Sequence, residues 1–274
     1  MAFIEMNLMS ESLMRTVQVN AILPIDKLQM PDQKDNANIK KKNFKTLYLL
    51  HGIFGSQVDW INGTKLQRWA EEKNIAVIMP AGENRFYLDY PAMHEYYGKF
   101  IGEELVQLTR DMFPLSREKK DTFIGGLSMG GYGAVRNGLK YYENFGGIAG
   151  LSVGDLLTDP TVGIELFGIE FLEAAFGNFD EARSSDKSLS YLIEQNTKDK
   201  KTDQRIYIGC GKDDGLLKVN RDLKDLFIEN GYDVTYSETE GAHEWDFWND
   251  QIKKVIDWIE PYTIEQGINS GNIK

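Results

Sequence analysis

Short, unbroken apolar runs recur along the chain at 46–50, 75–79, 122–125, 147–151 and 205–209. Runs of that length without alternation are the pattern of strands buried on both faces of a parallel sheet. Between most of them apolar residues return at helical spacing, over 65–73, 100–112, 130–141, 216–230 and 246–259, and Gly231 follows one of these stretches where a helix C-cap belongs. Earlier, residues 16–23 set Val17, Val19 and Ala21 against Thr16, Gln18 and Asn20, the period of a half-exposed antiparallel strand. Strands alternating with helices predict an α/β fold with a mostly parallel central sheet and helices on both faces.

Two stretches interrupt the alternation. Residues 31–45 are polar and lysine-rich and predict an exposed loop. Residues 156–203 hold no convincing buried strand but carry amphipathic pieces at 164–176 and 189–195, which predicts a helical, cap-like insertion over the C-terminal edge of the sheet, where ligands bind in such folds. A chain of 274 residues with 42% hydrophobic content suits one large α/β domain over 1–274.

Composition narrows the function classes. The net charge of -11, from 42 acidic against 31 basic residues, repels phosphate backbones and anionic lipid headgroups, so neither nucleic acid nor a membrane surface is expected as partner. No stretch approaches the roughly 20 apolar residues that span a bilayer, and residues 1–10 lack the basic and apolar regions of a secretory signal; a cytoplasmic enzyme is the expectation. With one cysteine, Cys210, and three histidines, His51, His94 and His243, neither a disulfide framework nor a metal site is expected, and no cofactor is implied.

The candidate chemistry centres on Gly126-Leu127-Ser128-Met129-Gly130, a GxSxG pattern. Its glycines permit a cramped strand-to-helix turn that exposes a serine hydroxyl, and the flanks agree: residues 121–125 read as a buried strand and 130–135 open a helix. A serine hydroxyl needs an adjacent base, and in this arrangement the acid and then the base follow the serine along the chain. His51 and His94 precede Ser128, which leaves His243, in a loop between the strand-like 233–237 and the last helix. The acid that orients the imidazole is expected in the loop after residues 205–209, Cys210-Gly211-Lys212-Asp213-Asp214. Only one of the two adjacent aspartates can meet His243, and the spacing from Gly211 favours Asp214.

Attack on an ester carbonyl leaves negative charge on oxygen, best met by backbone N–H donors already in place. Met129 supplies one. The other is expected from His51-Gly52-Ile53-Phe54-Gly55, with Ile53 the first choice, Phe54 the second, and His51 structuring the turn. Phe54, Trp60, Tyr87 and Trp245 are the aromatic candidates for substrate contact.

Taken together, Leu49-Leu50-His51-Gly52, Asn84-Arg85-Phe86-Tyr87-Leu88-Asp89, Gly125 to Ala134, Cys210-Gly211-Lys212-Asp213-Asp214 and His243-Glu244-Trp245-Asp246-Phe247-Trp248 make the chain resemble the esterase D or tributyrin esterase-like family, relatives of S-formylglutathione hydrolases, acetyl and feruloyl esterases and mycolyltransferases. The resemblance implies the α/β-hydrolase fold and hydrolysis of carboxylic esters through an acyl-serine, with Ser128, Asp214 and His243 as triad and Ile53 and Met129 as oxyanion donors. It also implies a small-molecule ester as partner, short acyl groups such as acetyl or butyryl, and a homo-oligomer by analogy. S-formylglutathione hydrolases carry a cysteine-containing segment where this chain has residues 51–55, which ranks glutathione thioesters below simple esters. Acyl transfer to an alcohol and a non-catalytic binding protein are the remaining alternatives.

Overall fold

The computed structural model describes residues 1–27 and 43–261. In chain order the strands are β1 (Ala2–Ser10), β2 (Arg15–Leu23), β3 (Lys45–Leu50), β4 (Ile75–Pro80), the short pair β5 (Asp89–Tyr90) and β6 (Glu95–Tyr96), then β7 (Thr122–Leu127), β8 (Gly147–Leu151), β9 (Arg205–Gly211) and β10 (Asp233–Thr239). Apart from β5 and β6, they form one eight-stranded sheet in the order β1-β2-β4-β3-β7-β8-β9-β10. The β1–β2 hairpin is antiparallel and meets β4 antiparallel, whereas β4, β3, β7, β8, β9 and β10 all run parallel. Residues of β4, β7 and β8 are buried at every position, which is why those strands read as continuous apolar runs.

Helices cover both faces, each over its own apolar core. On one face lie α1 (Asp59–Gly63), α2 (Leu66–Lys73) and α11 (Trp245–Ile259), which bury Trp60, Leu66, Trp248, Ile252 and Val255 against Leu47, Leu49 and Phe123. The opposite face carries α3 (Tyr97–Lys99), α4 (Leu105–Met112), α5 (Met129–Lys140), α9 (Leu189–Lys198) and α10 (Leu217–Glu229), packed on Tyr48, Ile78, Ile124 and Ile148. Between β8 and β9 the chain forms α6 (Thr161–Phe167), α7 (Ile169–Phe176), α8 (Phe179–Arg183) and α9. Asn178 and Ser188 cap the N-termini of α8 and α9 with their side-chain oxygens.

Three details depart from the sequence reading. β1 was not expected: its inner positions alternate correctly, but Phe3 and Met9 place apolar side chains on the outer face and blur the pattern. The helix expected from residue 100 starts at Tyr97 and passes through a π-helical turn, Phe100–Glu104, before α4. The loop expected over 31–45 lies outside the described residues except for its last three, of which Lys45 already belongs to β3. No helix among the described residues is long and apolar enough to cross a membrane, and no group of three His, Cys, Asp or Glu side chains among them is placed to hold a metal ion.

Close packing explains the glycines around residue 128. A Cβ on Gly126 would come 2.3 Å from the Gly130 carbonyl oxygen, and one on Gly130 would come 2.5 Å from the carbonyl oxygens of Leu50 and His51. Both obstacles are backbone, so neither can swing aside. Gly126→Ala is expected to lower unfolding stability by about 3 kcal/mol, the upper part of the range for overpacking. Urea titration checks this; an unchanged midpoint would mean that the turn has room the geometry denies.

Candidate active site

β7 ends at Leu127 and α5 begins at Met129, so Ser128 alone turns the chain. It does so at φ 54 and ψ -119, a conformation that side chains other than glycine rarely adopt. Three hydrogen bonds hold it there: the Ser128 N–H donates to Leu151 O at 2.9 Å, and its carbonyl accepts from Tyr132 N at 3.0 Å and Gly154 N at 3.1 Å. The hydroxyl emerges at the C-terminal edge of the sheet, where loops from β9 and β10 also arrive.

Those loops bring the other two expected side chains to it. His243 Nε2 lies 3.1 Å from Ser128 Oγ, and His243 Nδ1 lies 3.0 Å and 3.2 Å from the two Asp214 carboxylate oxygens. Of the two adjacent aspartates, Asp214 is buried, at 5% exposure, and Asp213 is exposed. The Leu216 N–H donates to Asp214 Oδ1 at 2.9 Å. Burial pushes the Asp214 carboxyl up, but the hydrogen bond and charge of His243, the Leu216 N–H and the Ser152 hydroxyl outweigh it and hold the carboxyl below its ordinary value. An ionised Asp214 can only accept, so His243 Nδ1 carries the proton and Nε2 is left to accept from Ser128 O–H. The loops are fixed to each other as well: Asp213 N–H donates to Gly241 O at 3.0 Å, and Lys212 N–H to Thr239 O at 2.9 Å.

Across the serine lies the turn after β3. Phe54 N–H donates to Asn84 Oδ1 at 2.8 Å and is thereby committed. The N–H groups of Ile53 and Met129 have no acceptor among the described residues, so the structure separates the first choice, Ile53, from the second, Phe54. His51 is buried beneath this turn. Gly82 N–H donates to His51 Nε2 at 2.9 Å, which puts the proton on Nδ1 and makes that nitrogen the donor to Gly52 O at 2.7 Å. Tyr87 Oη–H donates to His51 O at 2.9 Å.

Burial lowers the His51 pKa, so the fold favours the neutral ring. A group depressed in this way contributes stability that is complete above its unfolded-state value, about 6.5, and is lost as pH falls through the lower folded value. Wild type is therefore expected to lose melting temperature on acidification more steeply than His51→Gln. Thermal unfolding of both proteins at stepped pH measures the two slopes, and equal slopes would remove His51 from the account.

The cleft above the serine has a volume of about 550 Å³, in the range of small-molecule sites, and is lined by Gly52, Ile53, Phe54, Asp59, Leu127, Glu244, Trp245 and Trp248 together with Ser128 and His243. Phe54 is 77% exposed, and Trp245 is half-buried. Two expected contacts are corrected. Trp60 is buried under Trp245, ring edge to ring face at 5.7 Å, with its Nε1–H donated to Leu50 O at 3.0 Å. Tyr87 is wholly buried and supports His51 from below. Their apolar area holds up the floor of the cleft instead of forming its wall. The helical segment between β8 and β9 also stands aside: its nearest aromatic contact is Phe167 on Phe54, at 5.8 Å between ring centroids, and none of its residues lines the cleft. Sequence reasoning gave no role to Asp59, Leu127 and Glu244 in the lining or to Asn84 behind the turn; the last three stand inside its motifs, but nothing in the pattern marks which residues face inward.

An eight-stranded, mostly parallel sheet with helices on both faces and a serine at a strand-to-helix elbow defines an enzyme of the α/β-hydrolase class. Comparison with known proteins narrows this. Residues 10–258 match the family model described as "Putative esterase", and the chain belongs to that esterase family. It is 41% identical over 265 residues to an acetyl esterase of Caldicellulosiruptor saccharolyticus, a match covering 94% of this chain and 98% of that one. Among solved structures, an S-formylglutathione hydrolase of Staphylococcus aureus superposes with a TM-score of 0.81 at 28% identity, covering 94% of this chain and 98% of that one. A ferulic acid esterase shares the fold at a TM-score of 0.72 and 19% identity, over 95% and 98% of the two chains.

Proposed function

We propose that this esterase hydrolyses short-chain acyl esters, acetyl esters foremost, through an acyl-serine on Ser128. The observation that carries the reading is the continuous relay from Asp214 through His243 to a serine hydroxyl that faces the cleft beside two uncommitted N–H groups. In the forward step His243 Nε2 takes the Ser128 proton as Oγ attacks the ester carbonyl, and the carbonyl oxygen, now anionic, sits between the N–H groups of Ile53 and Met129. The imidazolium, stabilised by ionised Asp214, returns the proton to the departing alcohol. Water then attacks the acyl-serine by the same route, and the carboxylic acid leaves. Phe54 and Trp245 bound the space for the acyl and alcohol groups.

Simple esters are favoured over glutathione thioesters by the charge of the cleft. Its charged lining consists of the carboxylates Asp59 and Glu244, with His243 the only other ionisable side chain, and glutathione carries two carboxylates of its own. The kinship with an acetyl esterase supports the same choice. A panel of p-nitrophenyl acetate, butyrate and octanoate, methyl ferulate and S-acetylglutathione tests it. The expected order puts acetate first and the thioester last; a higher kcat/KM for S-acetylglutathione than for the acetate would overturn the substrate assignment.

A further inference from the structure

Ser152 follows β8 at the same edge of the sheet and is fully buried. Its φ is 47, the left-handed region that glycine enters freely and other residues rarely, and its N–H donates to Gly209 O at 2.7 Å. A side chain is nonetheless present at this strained position, and its hydroxyl is engaged. Trp248 Nε1–H donates to Ser152 Oγ at 3.1 Å. The same hydroxyl is among the groups that hold the Asp214 carboxyl below its ordinary value.

Trp248 and Asp214 both touch the imidazole. Asp214 holds Nδ1, and the Trp248 ring meets the His243 ring edge to face, with centroids 4.9 Å apart and an interplanar angle of 86°. His243 itself is 37% exposed, so little else restrains the ring on its open side. We propose that Ser152 is a positioning residue for the hydrolytic reaction, its hydroxyl fixing the Trp248 ring and, through that ring, aiming His243 Nε2 at Ser128. The inference rests on the hydrolase reading above. Its strained backbone is consistent with that task, since strained residues persist where the surroundings over-determine them, commonly beside active sites.

Ser152→Gly removes the hydroxyl and relieves the backbone, and Ser152→Ala removes the hydroxyl and keeps the strain. Both are expected to lower kcat for p-nitrophenyl acetate by about 10–100-fold, the range for losing an outer partner of a reactive group, with KM changed less than about twofold. Agreement between the two variants, whatever their melting temperatures, assigns the loss to the hydroxyl. Because Ser152 acts through the Trp248 ring, the same substitution made on Trp248→Phe, which keeps a ring but has no N–H to donate, is expected to lower kcat by less than about threefold more. A kcat within about twofold of wild type in either single variant, or full additivity on Trp248→Phe, would overturn the proposal. Ser128→Ala run alongside separates the two levels: if it stays active the hydrolase reading itself fails, and if it is inactive while the Ser152 variants turn over normally, only the positioning role fails.

Discussion

Ser128→Ala is expected to reduce kcat for p-nitrophenyl acetate by about 10⁵–10⁶-fold without unfolding the protein. The substitution removes one oxygen, whose hydrogen bond to His243 Nε2 at 3.1 Å is its recorded contact. Alanine keeps the backbone at φ 54 under the same strain, and the three hydrogen bonds that hold residue 128 there all use main-chain atoms. The fold should therefore be indifferent to the change, and the chemistry should not. The uncommitted N–H groups of Ile53 and Met129 remain, so a residual acceleration of about 10³–10⁴ over water is expected. Steady-state hydrolysis, with circular dichroism on the same sample, makes the measurement. Activity within tenfold of wild type would mean that another group attacks the carbonyl.

Asp214→Asn comes next in size, at about 10⁴-fold in kcat, with Asp213→Asn close to wild type. The direction of one proton accounts for the loss. An Asp214 carboxylate can only accept, which fixes the His243 proton on Nδ1; an asparagine amide can donate to Nδ1 instead and drive the proton to Nε2, where it faces Ser128 and blocks general-base action. The imidazolium would also lose the counter-charge of Asp214. Asp213 is exposed and contributes only its N–H to the loop, by way of Gly241 O, a bond that asparagine keeps. Equal losses in the two variants would dissolve the distinction that the structure draws between them.

The depressed Asp214 pKa adds a pH consequence. Since the Asp214 carboxyl is held below its ordinary value, a fall in activity on mild acidification would not report protonation of that carboxylate.

Much of this site was legible in the sequence because its main parts depend on local backbone chemistry. The elbow at Ser128 needs small residues at fixed offsets from it, and Gly126 and Gly130 are present for reasons that the turn's own backbone atoms impose. His243 was reachable because only three histidines exist and two precede the serine. The buried strands announced themselves as apolar runs because both of their faces are covered, whereas β1, with Phe3 and Met9 on its outer face, did not.

The rest required the third dimension. Asp213 and Asp214 are chemically identical neighbours in a loop without periodicity, and they differ only in which one the packing of β9, β10 and α10 turns inward. Trp60 and Tyr87 are as aromatic as Phe54 and Trp245; depth alone assigns the first pair to the floor and the second to the wall. Ser152 has no motif, and its meeting with Trp248 spans 96 residues. From the sequence alone came the strand and helix pattern, the elbow, and the candidate nucleophile and base, because each follows from interactions among residues close in the chain or from the scarcity of a residue type. Which aspartate meets His243, the free N–H of Ile53, the lining of the cleft and the hydroxyl behind Trp248 were decided by tertiary structure, because burial and hydrogen-bond partnership belong to residues brought together from distant parts of the chain.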